Sequence, residues 1–298
     1  MDTGAHAQTT PSVEEEGAFD AMLGAIERIA AFDDAGQGGN PAGVWIGASL
    51  PSAVTMQRLA HAVGFSETAF AAPAADGWQV RYFSPESEVP FCGHATIALG
   101  AALARRCGDG RYALQLSSAA ITVEGRRDGA RVQAALQSPP TRSMPAPDGL
   151  VGAALALFGY APADLDPRIA PALAHAGADH LVLALSSRAA LAAMNYQLDA
   201  GRALMAHYGL VTIVLAWAEH AGRFHTRNPF ASGGVYEDPA TGAGTAALAG
   251  YLRDIGWPHG GRIQIVQGED MGMRSRLTAE IGDQNGASIR VSGSARMM

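Results

Sequence analysis

Residue n of this chain matches residue n + 149 over a stretch long enough to dictate its architecture. Glu88-Val-Pro-Phe-Cys-Gly-His-Ala-Thr-Ile-Ala-Leu99 faces Glu237-Asp-Pro-Ala-Thr-Gly-Ala-Gly-Thr-Ala-Ala-Leu248 with no gap. From 88 to 103, seven of sixteen positions are identical, whereas a composition this rich in Ala and Gly gives roughly one or two by chance. Two Ala/Gly-rich helix starts also look alike by composition alone, so the flanks carry the decision. Upstream, Met56–Gly64 has the spacing of a helix, and Glu67–Ala72 and Gln79–Phe83 have the texture of strands. Ala203–Gly209, Val211–Trp217 and Gly222–Thr226 repeat that order in the second half. Each motif then runs into an alanine-rich segment, Gly93–Arg106 or Gly242–Arg253, that is apolar nearly all round. Helices of that kind are buried.

The expected fold is therefore α+β, with two pseudo-symmetric domains, each a mainly antiparallel curved sheet around one central buried helix. Between them, Ser138–Asp148 carries four prolines in eleven residues. No helix or central strand tolerates that density, so the segment reads as a linker. Residues 1–25, polar and small with a short acidic run, read as a tail with one loosely held helical turn. The first domain is expected over 26–140 and the second over 148–286, with the last strand, in 287–298, available to rejoin the first.

Composition excludes several functions. Of 298 residues, 48% are apolar and 16% charged, which is ample for a packed core and far from disorder. Net charge is −7, and displacing counterions from phosphates needs a positive surface, so nucleic acid is not an expected partner. No apolar run approaches the ~18–20 residues that cross a bilayer, so a membrane is not expected either. The start lacks the basic patch and apolar stretch of an export signal. With only two cysteines, Cys92 and Cys107, the expected location is a reducing cytoplasm. Neither these cysteines nor the nine scattered histidines show the spacing of a zinc site, so a metal enzyme is not expected.

Five segments carry residues suited to chemistry. In Gly38-Gly-Asn-Pro-Ala-Gly-Val44, Asn40 either serves a turn between strands or presents its amide to a ligand. Gly64-Phe-Ser-Glu-Thr-Ala-Phe70 embeds Glu67 among apolar neighbours, where glutamate is rarely buried without cause. Either it sits at a strand end, in solvent or against an arginine, or it is a general acid and base. A carboxyl of ordinary pKa, about 4.3, is a poor acid at neutral pH, and desolvation in an apolar cleft raises such a value. In Ser84–Thr96 a proline turn leads to a helix start whose N–H groups at Gly93, His94 and Ala95 lack partners within the helix and suit a substrate carboxylate. His94 is a helix-start residue or a proton carrier, and Cys92 is more often a small buried residue than a nucleophile. The twin segment Tyr236–Thr245 places Glu237 and Asp238 before the second helix start, where carboxylates ordinarily complement the dipole. The other reading sets Asp238 beside Glu67 and His94. If the two helix starts face one another, their free donors converge on a cleft fit for a small anionic acid. Finally, Gln267–Arg276 is either a surface hairpin or a source of guanidinium groups, from Arg274 and Arg276, for a carboxylate.

Taken in order, Gly39-Asn40-Pro41, Ser66-Glu67-Thr68-Ala69-Phe70, Phe91-Cys92-Gly93-His94, Glu237-Asp238-Pro239-Ala240-Thr241-Gly242 and Gln267-Gly268 with Met271-Gly272 resemble the PhzF-like family of phenazine biosynthesis, whose fold is that of diaminopimelate epimerase. The resemblance runs from about Ile29 to Ser275. It implies a homodimer of two-domain chains with the site between domains. It also implies an isomerase that shifts protons on small carboxylic acids without metal or organic cofactor. The family's acid/base glutamate is matched by Glu67, its histidine by His94 and its active-site aspartate by Asp238. Asn40, Ser66, Cys92, Gly93, Thr241, Gly242, Ala243, Gln267 and Gly268 fall where substrate is bound.

Two positions depart from the family pattern. Ala243 stands where a serine is usual, and Met273 displaces an arginine by one residue, to Arg274. Diaminopimelate epimerases flank their substrate with two cysteines; Cys92 matches one, but Thr241 stands at the other. That favours one-base transfer by Glu67. The alternatives are a racemase, epimerase or dehydratase working through Cys92, or a non-catalytic small-molecule-binding or interaction protein on the same scaffold.

Overall fold

The computed structural model describes residues 13–298 except 118 and 130. Its first half runs through α1 (Val13–Gly24), β1 (Glu27–Ala31), β2 (Asn40–Ile46), α2 (Ala53–Val63), β3 (Thr68–Ala74), β4 (Gly77–Phe83), β5 (Glu88–Val89), α3 (Gly93–Cys107), β6 (Gly110–Gln115), β7 (Ala120–Asp128) and β8 (Arg131–Gln137). After β9 (Arg142–Pro145), the second half runs through α4 (Asp148–Phe158), β10 (Ala172–His175), β11 (Asp179–Leu185), α5 (Arg188–Ala192), α6 (Leu198–Tyr208), β12 (Thr212–His220), β13 (Arg223–Phe230), β14 (Val235–Asp238), α7 (Gly242–Asp254), β15 (Arg262–Gln267), β16 (Ser275–Glu280) and β17 (Arg290–Met297).

One pairing scheme is drawn twice. In the first half β1–β2 is antiparallel, β2–β3 parallel, β3–β4 antiparallel, β4–β6 parallel, and β6–β7 and β7–β8 antiparallel. β10, β11, β12, β13, β15, β16 and β17 repeat these pairings in the same order and sense. The fold is thus two pseudo-symmetric domains, as the repeat predicts, in keeping with the diaminopimelate epimerase-like fold that the resemblance implies. β17 then crosses over. It pairs with β16 through Arg290–Ser292, with β8 through Arg290–Ala295 and with β1 through Ala295–Met297, closing the first sheet with a strand from the far end of the chain.

The proline-rich stretch holds more order than a linker. Residues 142–145 form β9, which among the described residues pairs antiparallel with β10 and with no other strand. With a neighbour on one side only, β9 has the edge position in which a proline's missing N–H does no harm. Residues 13–24, expected within the tail, form α1, whose Phe19, Met22 and Leu23 pack on Ile26, Met56, Leu59 and Phe70. Residues 1–12, the rest of that expected tail, lie outside the described residues.

Each sheet curls around its own helix, and small residues make this possible. Every residue of α3 from Gly93 to Ala104 is buried, as is nearly all of α7. A Cβ added at Gly100 would lie 2.5 Å from Val123, and one at Gly125 would lie 2.3 Å from the Gly100 carbonyl, so α3 and β7 pack at backbone distance. Among the described residues, no helix is long and apolar enough to cross a membrane.

Candidate functional site

The two central helices meet head to head. A Cβ on Gly93 would stand 3.0 Å from Gly242 Cα and 3.2 Å from Ala243 N. Glycine at both equivalent positions is what lets the two backbones approach so closely. The N-cap residues, Cys92 and Thr241, are themselves equivalent in the repeat, and neither side chain caps its helix. The first-turn N–H groups of α3 and α7 are therefore left without a side-chain cap at a shared point, each helix contributing the positive end of its dipole.

Glu67 ends the loop before β3 rather than lying within the strand. Its side chain is buried, at 5% exposure, yet its Oε2 has no hydrogen-bond partner among the described residues. That oxygen stands 3.4 Å from His94 Nε2. His94, in the first turn of α3, is also buried; its Nε2 lies 3.3 Å from Ser66 Oγ and its Nδ1 3.3 Å from Cys92 Sγ. Burial pushes the imidazole below the usual histidine range, against the opposing pull of the Glu67 charge. Burial first, and the Glu67 carboxylate second, push the Cys92 thiol well above the usual thiol range. A thiol in that state is a poor nucleophile and a poor base.

Across from this group, Asp238 ends β14. Its carboxylate does not cap α7. Instead Oδ1 accepts from Asn40 Nδ2 at 2.6 Å and Oδ2 accepts from the Thr241 hydroxyl at 2.5 Å. These two donors favour the ionised form, but burial outweighs them; with the Glu67 charge adding to it, the Asp238 carboxyl is pushed up to about 7. Asn40 also donates to the Ala240 carbonyl, at 3.0 Å.

Gln267, expected to touch substrate, is spent inside the protein. Its amide donates to the Asp238 carbonyl at 2.7 Å and to Thr241 Oγ1 at 2.9 Å, and its oxygen accepts from the Thr241 N–H at 3.1 Å. The chain can turn directly after it because Gly268 adopts φ +72; a Cβ there would lie 2.8 Å from the Pro239 carbonyl. Arg274 and Arg276 do not reach the site. They face Asp34, at 3.2 and 2.5 Å, on the outside of the β15–β16 hairpin.

Sequence reasoning missed one supporting pair. Glu237, read with Asp238 as a dipole partner, instead takes a two-pronged contact from Arg227, Nε to Oε1 at 2.9 Å and Nη2 to Oε2 at 2.5 Å, with both residues buried. The remaining nitrogen of Arg227 bonds the carbonyls of Ala192 and Met194. Because side chains alternate along a strand, locking Glu237 to one side of β14 sends Asp238 to the other. The one hint in the sequence was an arginine in an otherwise uncharged strand end, Phe224-His-Thr-Arg-Asn-Pro-Phe230.

The residues expected at a site thus fall into two groups, Ser66, Glu67, Cys92 and His94 on one side and Asn40, Asp238, Thr241 and Gln267 on the other. Gly93, Gly242 and Ala243 lie at the junction of the helix starts. Ala243, the repeat equivalent of His94, brings no polar atom there. Two open surface hollows, of about 750 Å³ beside Arg188, Trp217 and His225 and about 550 Å³ beside Arg262, Glu280 and Arg290, include none of these residues.

A family model described as phenazine biosynthesis-like protein matches residues 29–298. The chain belongs to that family. It is 31% identical over 256 residues to trans-2,3-dihydro-3-hydroxyanthranilate isomerase of Pseudomonas chlororaphis, covering 84% of this chain and 88% of that one. Among solved structures, the phenazine biosynthesis protein of the PhzF family from Bacillus anthracis superimposes with a TM-score of 0.80 at 19% identity, over 92% of this chain and 96% of the other. A hydroxyproline epimerase from Agrobacterium vitis shares the fold, with a TM-score of 0.60 at 13% identity over 92% and 90% of the two chains. By kinship with the named family members, this chain is an isomerase.

Proposed function

We propose that this PhzF-family isomerase moves a proton on a small unsaturated carboxylic acid, by general acid/base catalysis at Glu67, without metal or organic cofactor. The observation that carries the reading is the Glu67 oxygen: buried, without a hydrogen-bond partner among the described residues and 3.4 Å from His94 Nε2. An orphaned carboxylate oxygen costs roughly 1–3 kcal/mol or more in desolvation, which a substrate contact would recover. The relative's name, a dihydro-hydroxyanthranilate isomerase, gives an example of the substrate class.

In this reading the substrate carboxylate lies against the first-turn N–H groups of α3 and α7, which stabilise the charge that spreads toward it. Glu67 breaks a C–H bond beside the π system and gains an O–H. The π bond shifts, and Glu67, after its new proton exchanges with solvent, delivers a proton to the far carbon. Neutral His94 steadies the Glu67 carboxyl, and Asp238, holding its proton near neutrality, donates to the developing charge. A dehydratase or racemase through Cys92 is less well supported, because the buried thiol resists ionisation and its equivalent, Thr241, is bonded to Asp238. The site lies between domains of about 26–140 plus the C-terminal strand and 148–286. These open to admit substrate, and the working unit is a cytoplasmic homodimer.

Incubation with candidate unsaturated acids in D₂O tests the reading. Wild type is expected to place deuterium on carbon and Glu67→Gln is not; equal incorporation by both would remove Glu67 from the mechanism.

A further inference from the structure

We propose that Glu67, Cys92 and His94 together form a seat for Zn²⁺, and that a cation held there shuts off proton transfer. One ligand atom from each residue, a carboxylate oxygen, the thiol sulfur and a ring nitrogen, lies within 4.8 Å of the other two. All three residues are more than nine-tenths buried, and the Glu67 Oε2 that faces the imidazole has no hydrogen-bond partner among the described residues.

Two of the three spacings come close to those of one ion, and the third lies within 4.8 Å. With Zn–S of about 2.3 Å and Zn–N or Zn–O of about 2.0–2.1 Å, ligand atoms in a tetrahedral site stand about 3.3–3.6 Å apart. Glu67 Oε2 and His94 Nε2 are 3.4 Å apart, already at that spacing. Cys92 Sγ and Nε2 are 4.0 Å apart, long by about half an ångström, which a small rotation of the ring takes up. A thiolate, an imidazole and a carboxylate suit Zn²⁺ rather than Mg²⁺ or Ca²⁺, which take oxygen ligands. Three protein ligands leave the fourth position to water. A search by ligand spacing misses the set because Cys92 and His94 lie only two residues apart, at the N-cap and first turn of α3, while Glu67 comes from the loop before β3.

Binding exchanges a proton for the metal: the Cys92 S–H bond breaks, a Zn–S bond forms and the proton leaves to solvent, with no change of oxidation state. Glu67 then spends on the cation the oxygen that would take a proton from substrate, and His94 spends its Nε2 lone pair. Entry is by the same opening that admits substrate.

The test uses the full chain, reduced and stripped of metal, in a Cys107→Ser background because Cys107 is an exposed free thiol. Co²⁺ is titrated first, with sulfur-to-metal charge transfer and ligand-field absorption as the readout, so that the result does not depend on knowing the substrate. Zn²⁺ affinity follows by competition with a chromophoric chelator. One cation per chain is expected, with a cobalt–thiolate band that Cys92→Ala abolishes. Zn²⁺ affinity should fall in both Cys92→Ala and Glu67→Gln by at least the about 10–100-fold that losing an outer partner of a metal ligand costs. Absence of the cobalt–thiolate band, or unchanged Zn²⁺ affinity in both variants, would overturn the proposal. Deuterium exchange lost by Glu67→Gln but untouched by saturating Zn²⁺ would overturn it too, while leaving the acid/base role of Glu67 intact.

Discussion

Replacing Asp238 by Asn should stabilise the protein increasingly as pH rises. The Asp238 carboxyl has an ordinary value of 3.8 and is pushed up to about 7 in the fold, chiefly by burial. Below pH 3.8 the group is protonated in both folded and unfolded chains and has no effect. Between 3.8 and 7 the unfolded chain releases the proton while the folded chain keeps it, so stability is lost as pH rises through that window. Above 7 the loss is complete. At about 1.4 kcal/mol per pKa unit, the interval amounts to about 4 kcal/mol. Asparagine has the shape of the protonated acid and no charge to bury. Its oxygen still accepts from Asn40, and its NH₂ turns to the Thr241 hydroxyl. Urea unfolding followed by tryptophan fluorescence, at pH 4 and pH 8, provides the assay, with equal m-values as the check that the same surface is exposed. Wild type and variant should agree within about 1 kcal/mol at pH 4 and diverge by up to about 4 at pH 8. A difference that does not change with pH would refute the argument that burial holds a proton on Asp238.

Three other outcomes are expected. His180, buried and bonded to Thr212, is pushed down to about 4 by burial, so its neutral form is lost to the unfolded chain's advantage as pH falls from 6.5 to 4; His180→Gln should flatten that acid limb by about 3 kcal/mol, measured by the same unfolding titration. Gly93→Ala should cost about 1–3 kcal/mol of stability, because the added methyl meets the backbone of Gly242, which cannot yield as a side chain can. Arg227→Met should cost about 3–5 kcal/mol by leaving the buried Glu237 charge alone, and Arg227→Met with Glu237→Leu should recover most of it in chemical denaturation.

The Asp238 and His180 slopes run in opposite directions between pH 4 and 6.5. Wild type alone reports only their sum with every other titrating group, and only the variants separate the two. Their contrast has a common source: burial favours whichever form is neutral, which for a carboxyl is the protonated one and for an imidazole the deprotonated one.

The duplicated architecture was legible from the chain itself. Helical spacing, strand texture and the 149-residue repeat are one-dimensional signals, and the burial of α3 and α7 follows from their being apolar on every face. So, too, was the anomaly of a glutamate set among Phe65, Ala69 and Phe70. What each polar group touches was decided only by the tertiary structure. Asn40 and Asp238 are 198 residues apart yet bonded. Arg276 bonds Asp34 across 242 residues and is thereby kept from the site, and β17 closes a sheet begun by β1. Local sequence records which groups need a partner when buried. It carries no trace of the partner, because that choice is made where distant segments pack, by whichever donor or acceptor the backbone geometry brings within about 3 Å.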